Sequence, residues 1–388
     1  MSGTRPAPPI RLGLLGTGLA ARRLHWPALQ RLSDRYTVTA CHDRSPEAMA
    51  AFAELTGLPS ERFIDEREAL LARDDVDAIL VTVPIPQLAA ATRDVLAAGK
   101  HVICEKPPGG DEEQARAFVE MVRAFPDRKV LLAENMFYRD DLRLARQLVD
   151  AGAVGRLHLV AWRFAMHWVP RPGQFSSTPW RHRPAYRGGA LLDNGVHHAA
   201  RLRLVCGEVR TVSGLVQRAN VTIDAPSDLA LTLAFDSGAI ASYAATHTDI
   251  PLPPESNETR LYGTSGTLVL SEHWGPGGRK EVRLYRADEP PQTHAFEDID
   301  NGYWAELYNF ADAVQYGAPI VGTVEQSARN LLLVTRGMDS AERGQVMPLD
   351  APWMQEAPGV PLWKPWGTED WRARAPGRYT VAHGMVGD

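Results

Sequence analysis

Cysteine is scarce in this chain: Cys41, Cys104 and Cys206 are the only three in 388 residues. They lie far apart, form no Cys-x-x-Cys pair and have no histidine at metal-ligand spacing, which excludes a zinc module and a disulfide scaffold. No metal site is expected. Each cysteine sits among apolar neighbours, the setting of a buried free thiol in a reducing compartment. Long apolar runs are also missing, and none approaches the ~18 residues of a membrane-crossing helix. The opening Met-Ser-Gly-Thr-Arg-Pro-Ala-Pro-Pro holds no hydrophobic stretch of signal-peptide length, so a cytoplasmic protein is expected. The formal net charge is only -5, with no basic block, which argues against nucleic acid or an anionic membrane as partner. No internal repeat is present.

What remains is an ordinary globular composition, 44% hydrophobic and 23% charged. The length exceeds what one core usually supports, so two domains are expected. Strand-like and helical segments alternate from Ile10 to about residue 130. Ile10–Leu15, Tyr36–His42, Arg62–Ile64, Val76–Val83, Val102–Cys104 and Val130–Glu134 read as strands. Between them Leu24, Ala28 and Leu32 share one helical face, and Glu47–Thr56, Glu66–Ala72, Gln87–Ala98 and Glu112–Ala124 read as helices. That alternation predicts a right-handed parallel sheet covered on both faces.

After a further helix, Leu142–Ala151, the style changes. Leu157–Trp168, Val209–Val216, Asp228–Phe235, Ala239–Thr246, Glu258–Leu261, Thr267–Leu270 and Glu281–Tyr285 read as strands of a mostly antiparallel sheet. Helix Leu191–Cys206 interrupts them and Trp304–Gln315 closes them. The expected division is therefore 1–130, 131–350 and a Pro/Trp-rich tail, 351–388. Four tryptophans of that tail, Trp353, Trp363, Trp366 and Trp371, suit packing or oligomer contact.

Gly16-Thr17-Gly18-Leu19-Ala20-Ala21 follows the first strand and opens the first helix. The first glycine permits a tight turn, the second lets a pyrophosphate approach the backbone, and small Ala21 stands where helix and strand pack closely. The helix N-terminus offers N–H groups to the phosphates. Asp43, at the end of the second strand, is placed to bind the adenosine ribose. Arg44 suits either adenine stacking or a 2′-phosphate. Asp43 would repel that phosphate, so NAD is favoured and NADP is the alternative. Lys106 stands at the carboxyl end of its strand, at the crevice where open α/β sheets bind ligands.

These residues resemble the glucose–fructose oxidoreductase/inositol dehydrogenase/MocA-like (Gfo/Idh/MocA) family. The likeness is carried by the glycine loop, by Asp77-Ala78-Ile79-Leu80-Val81-Thr82-Val83-Pro84, and by Ala98-Gly99-Lys100-His101-Val102-Ile103-Cys104-Glu105-Lys106-Pro107. It continues in Gly188-Gly189-Ala190-Leu191-Leu192-Asp193-Asn194-Gly195-Val196-His197 and Tyr262-Gly263-Thr264-Ser265-Gly266-Thr267. The resemblance implies an N-terminal Rossmann dinucleotide-binding domain and a C-terminal α/β domain with a large open, mostly antiparallel sheet. It also implies a homodimer or homotetramer through that sheet, and NAD(P)-dependent interconversion of a secondary alcohol and a ketone on a sugar or cyclitol. Val83, Pro84 and Glu105 stand at its cofactor-side positions, and Glu134 and Arg139 match positions without an assigned role. The chain departs from the family where the usual Thr-Pro-Asn-x-x-His reads Val83-Pro84-Ile85-Pro86-Gln87-Leu88, and at Ala200 where an aspartate is common.

Asp193 and His197 are four residues apart at the start of a predicted helix and project from one face. Histidine titrates nearest neutral pH, so His197 is the expected general acid/base. Lys106 would stabilise negative charge on the reacting oxygen. Asp193 would orient the substrate hydroxyl or tune His197, and His198 is structural or peripheral. Trp162, Arg163, Trp168, Trp180, Arg181, Arg183 and Tyr186 offer aromatic faces and guanidinium groups to a polyhydroxy or acidic ligand. Two rival readings are an NAD-dependent glycosidase using transient oxidation and a non-catalytic sensor.

Overall fold

Five short apolar strands pair side by side in parallel: β1 (Ile10–Leu15), β2 (Tyr36–His42), β3 (Ala78–Val81), β4 (His101–Glu105) and β5 (Val130–Ala133), in the order β2-β1-β3-β4-β5. β3 and β5 are buried at every residue because helices cover both faces of the sheet. The structure is a computed structural model that describes residues 7–253, 257–273, 279–297, 301–354, 359–365 and 378–383. The crossovers are α1 (Trp26–Arg31), α2 (Pro46–Thr56), α3 (Arg67–Leu71), α4 (Ile85–Ala97) and α5 (Glu112–Arg123). α2 shows how local sequence sets its ends. Ser45 Oγ accepts from Ala48 N at 3.1 Å, and Gly57 stops the helix at φ +63°.

Two expected elements differ. Arg62–Ile64 is not a strand; a 3₁₀ turn, Ser60–Arg62, leaves Phe63 to make one parallel bridge with Cys41. Counting that remnant outside β2 restores the doubly wound order 3-2-1-4-5-6. The first helix is not regular either, since Ala21–His25 is π-helical before α1 begins. That widened turn carries His25 inward, where it is fully buried.

The second sheet has ten strands. After α6 (Asp140–Asp150), β6 (Leu157–His167), α7 (Pro179–His182) and α8 (Gly189–Cys206) come β7 (Val209–Gln217), β8 (Asp228–Phe235), β9 (Ile240–Thr248), β10 (Glu258–Gly263), β11 (Gly266–His273), β12 (Arg279–Arg286) and β13 (Gln292–Glu297). Helices α9 (Tyr303–Tyr316) and α10 (Val324–Arg343) precede β14 (Met347–Pro348) and β15 (Arg378–His383). The order is β14-β7-β8-β9-β6-β10-β11-β12-β13-β15, antiparallel except for β6 beside β9. One face packs on α8, which is buried along nearly its whole length between the sheet and α6 and α10.

The 20-residue α10 and strand β13 are additions to the expected elements; Thr323 caps α10 and Gly344 ends it. Arg336 of α10 meets Glu112 of α5 at 2.8 Å, so this helix fastens the two sheets' layers together. In the tail, Trp363 is buried between Tyr138 and Tyr308, with the Arg143 guanidinium 4.9 Å from its ring. Trp353 is half-buried, while Trp366 and Trp371 lie outside the described residues. The three cysteines are buried and free.

His247 of β9 points into the core against Trp168 and Phe164, and Asn194 Nδ2 donates to its Nε2 at 2.8 Å. Burial disfavours the imidazolium and lowers the His247 pKa to about 4, despite the opposing charges of Asp193 and Asp228. The unfolded chain takes up this proton near pH 6.5, so the stability is present above that value and is lost as pH falls toward 4. His247 alone should lower the unfolding free energy by about 2 kcal/mol between pH 7 and pH 5. Urea unfolding at both pH values checks this: the His247→Gln variant should lose correspondingly less than the unsubstituted protein over the same interval.

Candidate active site

The carboxyl ends of β1, β3 and β4 open into a cleft of about 1070 Å³ that is closed on its other side by α8 and the segment following β6. At its floor Gly16 adopts φ +105°, where a Cβ would stand 2.7 Å from Thr82 Oγ1 and 2.9 Å from Thr82 O. Glycine is needed there. Gly18 differs, because a Cβ on it would meet nothing within 4 Å. The space above Gly18 is the cradle a pyrophosphate needs, at the start of a helical segment.

Asp43 Oδ2 accepts from Thr17 N at 2.7 Å and Asp43 Oδ1 from Ser45 N at 2.9 Å, fastening the glycine loop to the end of β2. A carboxylate has about four acceptor sites, so this use leaves capacity for ribose hydroxyls. Gly16, Gly18, Leu19, Ala20, Asp43, Arg44, Val83, Pro84, Glu105 and Lys106 all line the cleft. Thr17 does not: it is fully buried beneath the loop. The residues present therefore fit a bound dinucleotide.

At the other end, Lys106 Nζ donates to Asp193 Oδ1 and to Asp193 O, both at 2.8 Å. Arg181 Nε donates to Asp193 Oδ2 at 2.8 Å. The Lys106 and Asp193 side chains are only 10% and 7% exposed. Burial alone would raise the Asp193 carboxyl, but the Arg181 and Lys106 charges hold it well below the usual carboxylate range. Arg181 is kept in place by the Trp180 ring, 3.9 Å from its guanidinium carbon, and by Phe175 at 5.2 Å.

His197 also lines the cleft, but its hydrogen-bond partner is not Asp193. Its Nδ1 lies 2.6 Å from Oε1 of Glu134, just beyond the end of β5. His198, the next residue of α8, points away to the Tyr243 hydroxyl and is enclosed by Trp162 and Phe164. Burial lowers its pKa.

Two candidate substrate residues fall elsewhere. Trp162 is buried against His198, Tyr243 and Arg201, and Arg163 is exposed on the opposite face of β6. Strand alternation sends these neighbours to opposite faces, and neither reaches the cleft. Trp168, Trp180 and Arg181 do line it, whereas Tyr186 packs over Gly110 and Arg183 is exposed near Asp224. Arg139 lies buried between Asp141 and Glu272, at 2.6 Å from each.

Sequence reasoning missed His25, Asn135, Asn194, Tyr303 and Arg171. His25 Nε2 lies 2.7 Å from Glu105 Oε1, and its ring meets Tyr303 edge-on at 5.5 Å. Burial pushes the Glu105 carboxyl up, yet the hydrogen bond and charge of His25, with the charges of Lys106 and His197, bring it below its ordinary value. Among the described residues no group of three or more His, Cys, Asp or Glu could hold a metal ion, and no helix is long and apolar enough to cross a membrane.

Two family profiles match. One, described as an oxidoreductase family with an NAD-binding Rossmann fold, covers residues 10–133, and one described as a GFO/IDH/MocA C-terminal domain covers residues 142–269. The dTDP-3,4-didehydro-2,6-dideoxy-alpha-D-glucose 3-reductase of Streptomyces violaceoruber is 32% identical over 72% of this chain and 78% of its own length. The D-xylose 1-dehydrogenase (NADP(+)) 2 of Haloferax volcanii is 26% identical over 88% of this chain and 100% of its own. Among solved structures, an oxidoreductase from Thermotoga maritima is similar with a TM-score of 0.76 at 28% identity, covering 88% of this chain and 98% of that one.

The two glycines should separate stability from cofactor binding. Gly16→Ala should destabilise the chain by about 1–3 kcal/mol through backbone strain. Gly18→Ala should leave stability within about 0.5 kcal/mol and weaken NAD about tenfold or more, a loss of ~1.4 kcal/mol. Denaturant unfolding and fluorescence titration with NAD read the two effects.

Proposed function

The chain belongs to the Gfo/Idh/MocA family of NAD-binding oxidoreductases, and from that premise we propose that it interconverts a secondary alcohol and a ketone on a sugar, cyclitol or related polyhydroxy molecule. The observation that carries the reading is the Lys106 ammonium, tied to Asp193 and opening into the cleft that also holds Gly18 and His197.

Gly16, Gly18, Leu19, Ala20, Asp43, Arg44, Val83, Pro84 and Glu105 would hold the dinucleotide, whose nicotinamide accepts or supplies the hydride when bound. In the oxidising direction His197 takes the hydroxyl proton from the alcohol. Lys106 donates a hydrogen bond to the oxygen and stabilises the negative charge that develops as the proton leaves. Asp193 keeps Lys106 oriented, and the low local dielectric strengthens both interactions. Reduction runs the same contacts backwards, with His197 returning the proton. Trp168, Trp180 and Phe175 supply apolar faces for the C–H side of a sugar ring, and Arg171 and Arg181 supply donors for its oxygens. Relatives that act, by name, on a dTDP-linked sugar and on D-xylose favour a carbohydrate. In this reading residues 1–130 bind the cofactor and residues 131–350 carry the substrate wall and a sheet through which the chain forms a homodimer or homotetramer in the cytoplasm.

The test is absorbance of reduced nicotinamide with a panel of sugars and cyclitols. Steady cofactor reduction is expected for at least one of them. Lys106→Ala should keep NAD affinity within a few-fold while turnover falls by about 10²–10³; a fully active variant would refute the assignment. Product release without net reduction would instead point to a glycosidase, and NAD binding with no turnover on any substrate to a sensor.

A further inference from the structure

We propose that Glu134 is a positioning residue for His197: its carboxylate accepts the Nδ1–H, so that the neutral ring presents an unprotonated Nε2 to the cleft. The inference rests on the reading of His197 as the acid/base group. It transfers to Glu134 the tuning role that sequence spacing suggested for Asp193.

The argument begins with burial. Glu134 is 0% exposed. Its Oε1 lies 2.6 Å from His197 Nδ1 and accepts a longer bond, 3.3 Å, from Met136 N, while its Oε2 has no hydrogen-bond partner among the described residues. A carboxylate removed from water is costly unless it is paired, and the ring of His197 is the strongest partner this one has. An ionised carboxylate can only accept, so the ring atom facing it must donate. A neutral imidazole has one N–H, and spending it on Glu134 leaves Nε2 with its lone pair, on the side of the ring away from Glu134. That is the form a general base requires. When Nε2 takes a proton from the substrate hydroxyl, the positive ring sits against a negative carboxylate at hydrogen-bond distance. The imidazolium is thereby stabilised, as in other buried carboxylate–histidine pairs.

Asp193 cannot do this work in the same geometry. Its two carboxylate oxygens are engaged by Lys106 and Arg181, and its backbone carbonyl also accepts from Lys106. The charged and titratable groups around the Glu134–His197 pair are Glu105 and Lys106 at the end of β4, Asp193 and His198 on α8, Arg181 on α7, and Tyr303 and Glu306 on α9. Glu134→Gln removes one charge from this set with almost no change of shape.

The experiment is a pH titration of the full chain labelled with ¹⁵N-histidine, followed by NMR. The His197 ring signals are assigned by their loss in His197→Asn. The neutral ring is expected to carry its proton on Nδ1, and the His197 pKa is expected to fall by about 1–3 units in Glu134→Gln. A neutral ring protonated on Nε2, or a pKa that Glu134→Gln leaves unchanged, would overturn the proposal. Should Glu134→Gln fail to fold, the tautomer of the unsubstituted protein decides alone. Neither readout needs turnover. Retained activity in His197→Asn would remove the acid/base reading while leaving the titration result standing, so the two failures are distinguishable.

Discussion

The Lys106–Asp193 ion pair joins the end of a strand in the parallel sheet to the long buried helix that backs the second sheet. Both groups are nearly out of water, where an unpaired charge is far more costly than a paired one. Asp193 keeps Arg181 as a second partner, so it is the Lys106 charge whose burial depends on docking of the two sheets' layers. The same contact places an ammonium at the cleft that opens from the ends of β1, β3 and β4. Structure and chemistry meet in one hydrogen-bonded bridge.

Around that bridge, in and behind the cleft wall, acids are paired with bases. Asp193 lies between Lys106 and Arg181, Glu105 meets His25, and Glu134 meets His197. Each carboxylate has a donor within 2.8 Å. In a site shielded from bulk water such pairs hold one another's orientation, and donors preorganised in this way need not rearrange as charge develops on a substrate. The π-helical turn at Ala21–His25 belongs to this scheme, because it delivers His25 to Glu105 at the cost of a regular helix.

Much of the parallel half was legible in the sequence. Its central strands are apolar on both faces, two of its helices carry side-chain caps at Ser45 and Asp111, and its glycine loop is a contiguous segment with a local job. The second half was less so. Strands β6 to β12 announce themselves by alternation, whereas α10 follows a long run of strands and is marked only by its Thr323 cap and apolar spacing. Trp162 and Arg163 each offer groups a polyhydroxy ligand could use, yet adjacent strand residues face opposite ways and neither one lines the cleft.

Local sequence by itself determined the glycine turn, the strand that ends at Lys106 and the helix that begins before Asp193, because turns, caps and periodicity are short-range properties of the backbone. It also limited the chemistry, by supplying a lysine, an aspartate and a histidine where such groups are useful. Tertiary structure alone decided who pairs with whom. Asp193 and His197 share a helix, but Lys106 and Arg181 take the aspartate and Glu134 takes the histidine. A hydrogen bond at 2.6–2.8 Å depends on how two distant segments dock, and spacing along one helix carries no information about what the other segment brings.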